Sequence, residues 1–206
     1  MKSKQKTRKM ILMALFGCIE VILMVTPLGF IPVGPVRATT LHIPVILAGI
    51  LLGPSAGAGI GLVFGLSSVV INTMTPTVTS FVFSPFYSVG QFHGGPASLL
   101  IAIGPRVLLG VIAGLLFEKL RKTDMRLNGC LTVSAMISTL IHTSLVMLGI
   151  YVFFAAPYAA VKGVTISALS TMLLTIVLTN GVVEMILGSI IVTAVGRVLL
   201  PSLKRK

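Results

Sequence analysis

Long apolar runs, broken only by Pro/Gly turns or by clusters of Lys and Arg, govern what this sequence can fold into. A helix needs about 20 apolar residues to cross the hydrocarbon core of a bilayer. Six segments fit or approach that length: about 10–26, 41–52, 56–73, 97–120, 131–154 and 172–199. The chain is 55% hydrophobic and 10% charged, where a soluble domain carries about 25% charged residues. So few polar groups cannot cover a water-exposed surface. The expected fold is an all-α integral membrane protein, with residues 1–206 forming a single bundle of six transmembrane helices.

Charge placement sets the expected orientation. The net charge is +12, with five basic residues (Lys2, Lys4, Lys6, Arg8, Lys9) ahead of the first apolar run. Lys119, Arg121, Lys122 and Arg126 sit in one short connection, and Arg197, Lys204, Arg205 and Lys206 close the chain. Basic residues beside apolar spans mark the cytoplasmic side. Both termini and the 118–127 connection are therefore expected in the cytoplasm. The connections 27–40, 74–96 and 155–171 are then expected outside. Nucleic acid is excluded as a partner, because no soluble domain carries a basic face. The basic start and apolar stretch also suit a signal peptide, but no small-residue cleavage site follows the apolar stretch. The segment reads as an uncleaved first helix.

The breaks are informative. Pro27, Pro32 and Pro35, with Gly29 and Gly34, cannot continue a helix. The segment 41–52 is too short to cross alone if straight, and needs loop residues or surrounding protein to complete it. The long segment 74–96 holds Pro76, Pro85 and Pro96 and is the expected lid, since long irregular segments in compact proteins are usually functional. Gly57, Gly61 and Gly65 form a four-residue ladder, as do Gly110 with Gly114 and Gly49 with Gly53. Small residues at that spacing let membrane helices approach closely, and a mid-chain ladder is expected to pack inside the bundle.

Polar groups inside a bilayer are costly and mark function. The candidates are Glu20, Asn72, Arg106, His142, Asn180 and Glu184 within spans. Arg37, Thr39, Thr40 and His42 line the end of the first outer connection, and Gln91 and His93 lie in the second. All fall at mid-depth or toward the outside, which suits a pocket open to the exterior better than a channel. Asn180 and Glu184 are four apart and would share one helical face. Arg106 cannot shed its charge and needs an anionic partner. Two partners fit: Glu184, as an internal pair that only joins helices, or a substrate carboxylate or phosphate held by a guanidinium clamp. His142 reads equally as a helix-to-helix hydrogen bond.

No catalytic constellation emerges. Cys18 and Cys130 read as small apolar residues, and the three histidines are too scattered for a metal site. No cofactor, metal or enzymatic activity is expected. With four acidic residues in the chain, any energy for transport is expected from another subunit.

Thr26-Pro-Leu-Gly-Phe-Ile-Pro-Val-Gly-Pro35, Ala38-Thr-Thr-Leu-His-Ile-Pro44, Leu51-Leu-Gly-Pro54, Ser80-Phe-Val-Phe-Ser-Pro-Phe86 and Pro105-Arg106 carry a family resemblance over essentially the whole length. The chain resembles the substrate-binding S components of energy-coupling factor vitamin transporters, and looks most like the pantothenate-specific type. The resemblance implies high-affinity capture of a vitamin at the outer face of the cell membrane of a prokaryote. It implies delivery with a membrane scaffold subunit and two cytoplasmic ATPases. It also implies a scaffold contact at an Ala-xxx-Ala pattern on the first helix, which here is Ala14-xxx-Cys18. Arg106 would take the pantothenate carboxylate, and Asn72, Asn180, Thr40 and Gln91 the remaining polar atoms. Two other readings stay open: an S component for riboflavin, folate, biotin, thiamine or hydroxymethylpyrimidine, and a self-sufficient proton-coupled carrier using Glu20, His142 and Glu184.

Overall fold

A computed structural model describes residues 2–33 and 36–204, with side chains for 6–29 and 39–201. The chain is a helical bundle. Helix α1 spans Lys2–Val25, α2 His42–Leu52, α3 Pro54–Met74, α4 Pro96–Leu120 and α5 Leu127–Lys162. Helices α6 (Ile166–Ile176) and α7 (Val182–Lys204) run on from each other through a π-helical turn at Val177–Gly181. Counting that pair as one gives six helical passes. Four of them (α3, α4, α5 and α6–α7) are long and apolar enough to cross a membrane.

Helix α2 resolves the short second segment. Eleven residues rise only about 16 Å, half a bilayer core. All residues from His42 to Ile50 are buried, and α2 packs against α1, α3, α4 and α7. Protein, not lipid, surrounds it. That accounts for a helix hydrophobic on every side.

The connection before α2 is a two-stranded antiparallel hairpin, β1 (Phe30–Val33) with β2 (Val36–Thr39), paired Phe30 to Thr39 and Pro32 to Arg37. The 74–96 connection carries a 3-10 turn at Ser80–Val82 and a short hairpin, β3 (Ser88–Val89) with β4 (Phe92–His93). Phe81 is fully buried there, with its ring against Phe92 and Phe154.

One expected boundary is corrected. The 155–171 connection is mostly helix, since α5 continues to Lys162 and α6 starts at Ile166. Sequence reading ended the span at about Phe154. The backbone does break at Phe154 (φ −133°, ψ 22°). Pro157 then lies in the first turn of the resumed helix, where its missing N–H has no partner to lose. Gly163, with φ +67°, ends α5 in the left-handed conformation that suits glycine.

The glycine ladders pack the chain against itself. A Cβ on Gly57 would strike the carbonyl oxygen of Gly110, and one on Gly61 the carbonyl oxygen of Arg106. A Cβ on Gly49 meets that same Gly110 oxygen. Helices α2, α3 and α4 therefore touch backbone to backbone, and Arg106 sits on the α4 stretch that α3 clamps. Gly57→Val should lower stability by about 1–3 kcal/mol or more, because backbone must move to admit the side chain. Gly104→Ala, whose Cβ would meet only Leu100 Cδ1 at 3.7 Å, should change it little. Thermal unfolding in detergent measures both.

Candidate functional site

The site begins with a proline inside α4. Pro105 has no N–H, so the carbonyl of Ile101, one turn earlier, loses its helical donor. The next residue supplies a replacement: Arg106 Nη1 donates to Ile101 O at 2.7 Å. The guanidinium is thereby fixed against its own helix. It also lies 5.3 Å from the ring centres of Phe64 on α3 and Phe83 in the 74–96 connection, within cation–π range. Arg106 is 8% exposed. Its Nε is buried without a hydrogen-bond partner, and among the described residues Nη2 makes no hydrogen bond.

Arg106 lines a cavity of about 400 Å³ at the loop-bearing end of the bundle. That lies within the range of small-molecule sites, about 300–1,000 Å³. His142 of α5 and Glu184 of α7 share its wall, as do Asn72, Thr39 and Thr143. His142 Nδ1 lies 3.1 Å from the carbonyl oxygen of Pro105. A carbonyl can only accept, so Nδ1 carries the hydrogen and the neutral ring offers Nε2 as an acceptor. Glu184 Oε1 accepts the Thr39 N–H at 3.0 Å and so ties α7 to the β1–β2 hairpin. Arg106 and Glu184 face one cavity, yet among the described residues no acidic oxygen lies within 4 Å of the guanidinium nitrogens. Of the two partners open to Arg106, the direct internal ion pair is absent.

Asn72 is largely committed to structure. Its Nδ2 donates to Ser68 O at 2.8 Å, and its Oδ1 accepts from Ser80 Oγ at 2.7 Å. Ser80 Oγ also accepts the Thr77 N–H, Thr73 bonds Ser84, and Ser98 Oγ donates to Phe81 O. The 74–84 segment is thus pinned to α3 and α4 by side chains rather than left as a free flap.

Several expected residues lie elsewhere. Thr40 is buried and donates to Leu28 O, and its neighbour Thr39 faces the cavity instead. Gln91 is exposed in the β3–β4 turn, away from the cavity wall. Asn180 is half-buried in the π turn and does not line the wall. The four-residue spacing to Glu184 assumed α-helical geometry, and the wider π turn rotates Asn180 off that face. Arg37 lies outside the residues whose side chains are described. Glu20 is fully buried with neither oxygen hydrogen-bonded, and it does not line the cavity. Ala14 and Cys18 are both exposed on α1. Sequence reading missed Thr143, whose hydroxyl has no partner, and Phe64 and Phe83. An aromatic residue in an apolar run carries no signal of which cavity it faces.

The comparisons with known proteins decide the family. The model for the ECF transporter substrate-specific component matches residues 8–196. The chain belongs to this family of ECF transporter substrate-specific components. It is 38% identical over 196 residues to the pantothenic acid transporter PanT of Lactococcus lactis subsp. cremoris, covering 93% of each chain. It is 31% identical over 212 residues to the pantothenate transporter PanT of Leuconostoc mesenteroides subsp. mesenteroides, covering 98% of this chain and 97% of that one. As a member of that family, the chain is a multi-pass plasma-membrane transport protein and not an enzyme.

Within this substrate-specific component, Ser80→Ala should free the 74–84 segment. Asn72 Oδ1 and the Thr77 N–H would both lose a partner, at about 1–3 kcal/mol for each group left buried. Hydrogen exchange of that peptide should rise several-fold while α4 stays protected.

Proposed function

We propose that this protein is the high-affinity pantothenate-binding subunit of an ECF-type importer, capturing the vitamin at the outer face. A membrane scaffold subunit and two cytoplasmic ATPases deliver it, and both termini of this chain face the cytoplasm. One observation carries the reading: a guanidinium in the cavity wall whose Nη2 makes no hydrogen bond and whose charge no acidic group within 4 Å neutralises, among the described residues. A buried cation needs a counter-ion, and a ligand carboxylate is one that can come and go.

The rest of the wall fits the rest of the molecule. Pantothenate bears a carboxylate at one end, an amide in the middle and two hydroxyls. Its carboxylate suits Arg106. Its hydroxyl and amide hydrogens suit His142 Nε2 and the Glu184 carboxylate. Thr143 and Asn72 border the same space, which also has apolar walls in Phe64, Ile71 and Val146 for the dimethyl carbon. The names of the two bacterial relatives support this ligand over the other vitamins. The scaffold contact we assign to the Ala14–Cys18 face of α1, where both residues are exposed and small.

Calorimetry on the purified chain tests the ligand. Pantothenate should bind, and Arg106→Ala should weaken it by more than ~2 kcal/mol, about thirtyfold in Kd. Wild-type affinity in Arg106→Ala would end the clamp. Uptake in cells should require the ATPase subunits, which should co-purify with this chain. Uptake by the chain alone that an uncoupler abolishes would favour a proton-coupled carrier instead.

A further inference from the structure

The cavity wall carries one fixed cation and one acidic side chain, and they do not pair with each other. Arg106 offers Nη2, a donor. Glu184 accepts the Thr39 N–H at Oε1 and lines the cavity beside it. His142, held by the Pro105 carbonyl, adds a second acceptor. The wall is therefore asymmetric: a cationic donor in one place and a carboxylate beyond ion-pair distance from it.

This pattern selects for more than a carboxylate. A ligand acid at Arg106 restores neutrality there, and a ligand O–H or N–H satisfies Glu184. A second anionic group on the ligand would meet the Glu184 carboxylate in a poorly solvated space, where like charges repel far more than in water. It would also lack the hydrogen that Glu184 needs. Specificity built on such a repulsive element works by rejecting the wrong ligand rather than by tightening on the right one.

We propose that Glu184 is a specificity-determining residue that restricts the cavity to monoanions with a hydroxyl donor and excludes the same molecules once that hydroxyl carries a phosphate. This rests on pantothenate being the ligand. The probes are pantothenate, the phosphate monoester of its primary hydroxyl, and the acetate ester of the same hydroxyl, which has bulk but no charge. They compete for wild-type protein in detergent, and for Glu184→Gln. Gln keeps an oxygen for the Thr39 N–H and removes the charge, with an NH2 donor in place of the second oxygen, and a melting measurement confirms the folded state.

On wild type, the phosphate ester should bind at least ~100-fold more weakly than pantothenate, and the acetate ester at least ~10-fold better than the phosphate ester. In Glu184→Gln, the gap between pantothenate and its phosphate ester should shrink at least ~10-fold. Equal exclusion of both esters by wild type would mark bulk as the cause and overturn the proposal, whatever the variant does. An unchanged gap in folded Glu184→Gln would overturn it too. If pantothenate itself fails to bind wild type, the ligand reading falls and takes this one with it. If pantothenate binds but its phosphate ester competes equally, this proposal alone falls.

Discussion

A single backbone carbonyl organises the site. Pro105 takes the helical donor away from Ile101 O, and the guanidinium of the very next residue returns one. An unpartnered carbonyl in hydrocarbon costs several kcal/mol, so the bond is strongly favoured once the proline is there. Its by-product is orientation. With Nη1 committed to the helix and two aromatic faces 5.3 Å away, the remaining donors of Arg106 have few directions left. Pro105 serves twice, because its own carbonyl fixes the ring of His142. One sequence step, Pro-Arg, thus sets a cation and an acceptor side by side on adjacent helices.

The energetic oddity of the site has the same root. A buried guanidinium ordinarily comes with a carboxylate at hydrogen-bond distance, since its desolvation costs several kcal/mol. Here Nε has no partner and the nearest compensation is aromatic and carbonyl. Native proteins keep such orphans where function holds them. Glu184 stays at the wall, tethered to the hairpin through Thr39.

Much of this was legible in the chain because membranes allow few solutions. Apolar runs had to be helices, and the Gly57–Gly61–Gly65 ladder had to meet a backbone, which proved to be that of α4. Arg106 was legible because its charge is permanent and its neighbourhood apolar. What stayed hidden needed geometry. Asn180 shares a face with Glu184 only if the helix between them is regular, and a π turn is invisible in composition. Thr39 and Thr40 are adjacent and identical, and only the end of a strand decides which one faces the cavity. The resumption of α5 after the break at Phe154, with Pro157 in its first turn, is likewise a matter of backbone geometry.

The bundle is also uneven in a way that bears on where a ligand can sit. On one side, α3 and α4 are locked backbone to backbone, and the 74–84 segment is stitched to them by Asn72, Ser80 and Ser98. On the other, α1 stands away from α7 across an apolar groove of about 560 Å³ floored by α2. Close packing resists displacement, so the locked half can hold Arg106 in a fixed position. The groove separates Leu15 and Ile19 of α1 from Ile191 and Val195 of α7. The cavity uses both halves: its cation comes from the locked α4, and its acid comes from α7, the helix that borders the groove. The α4 and α7 sides of the site are thus held by different contacts: Arg106 by Pro105 and the glycines that clamp α4, and Glu184 by Thr39 of the hairpin and by the packing of α7 on α2 and α5.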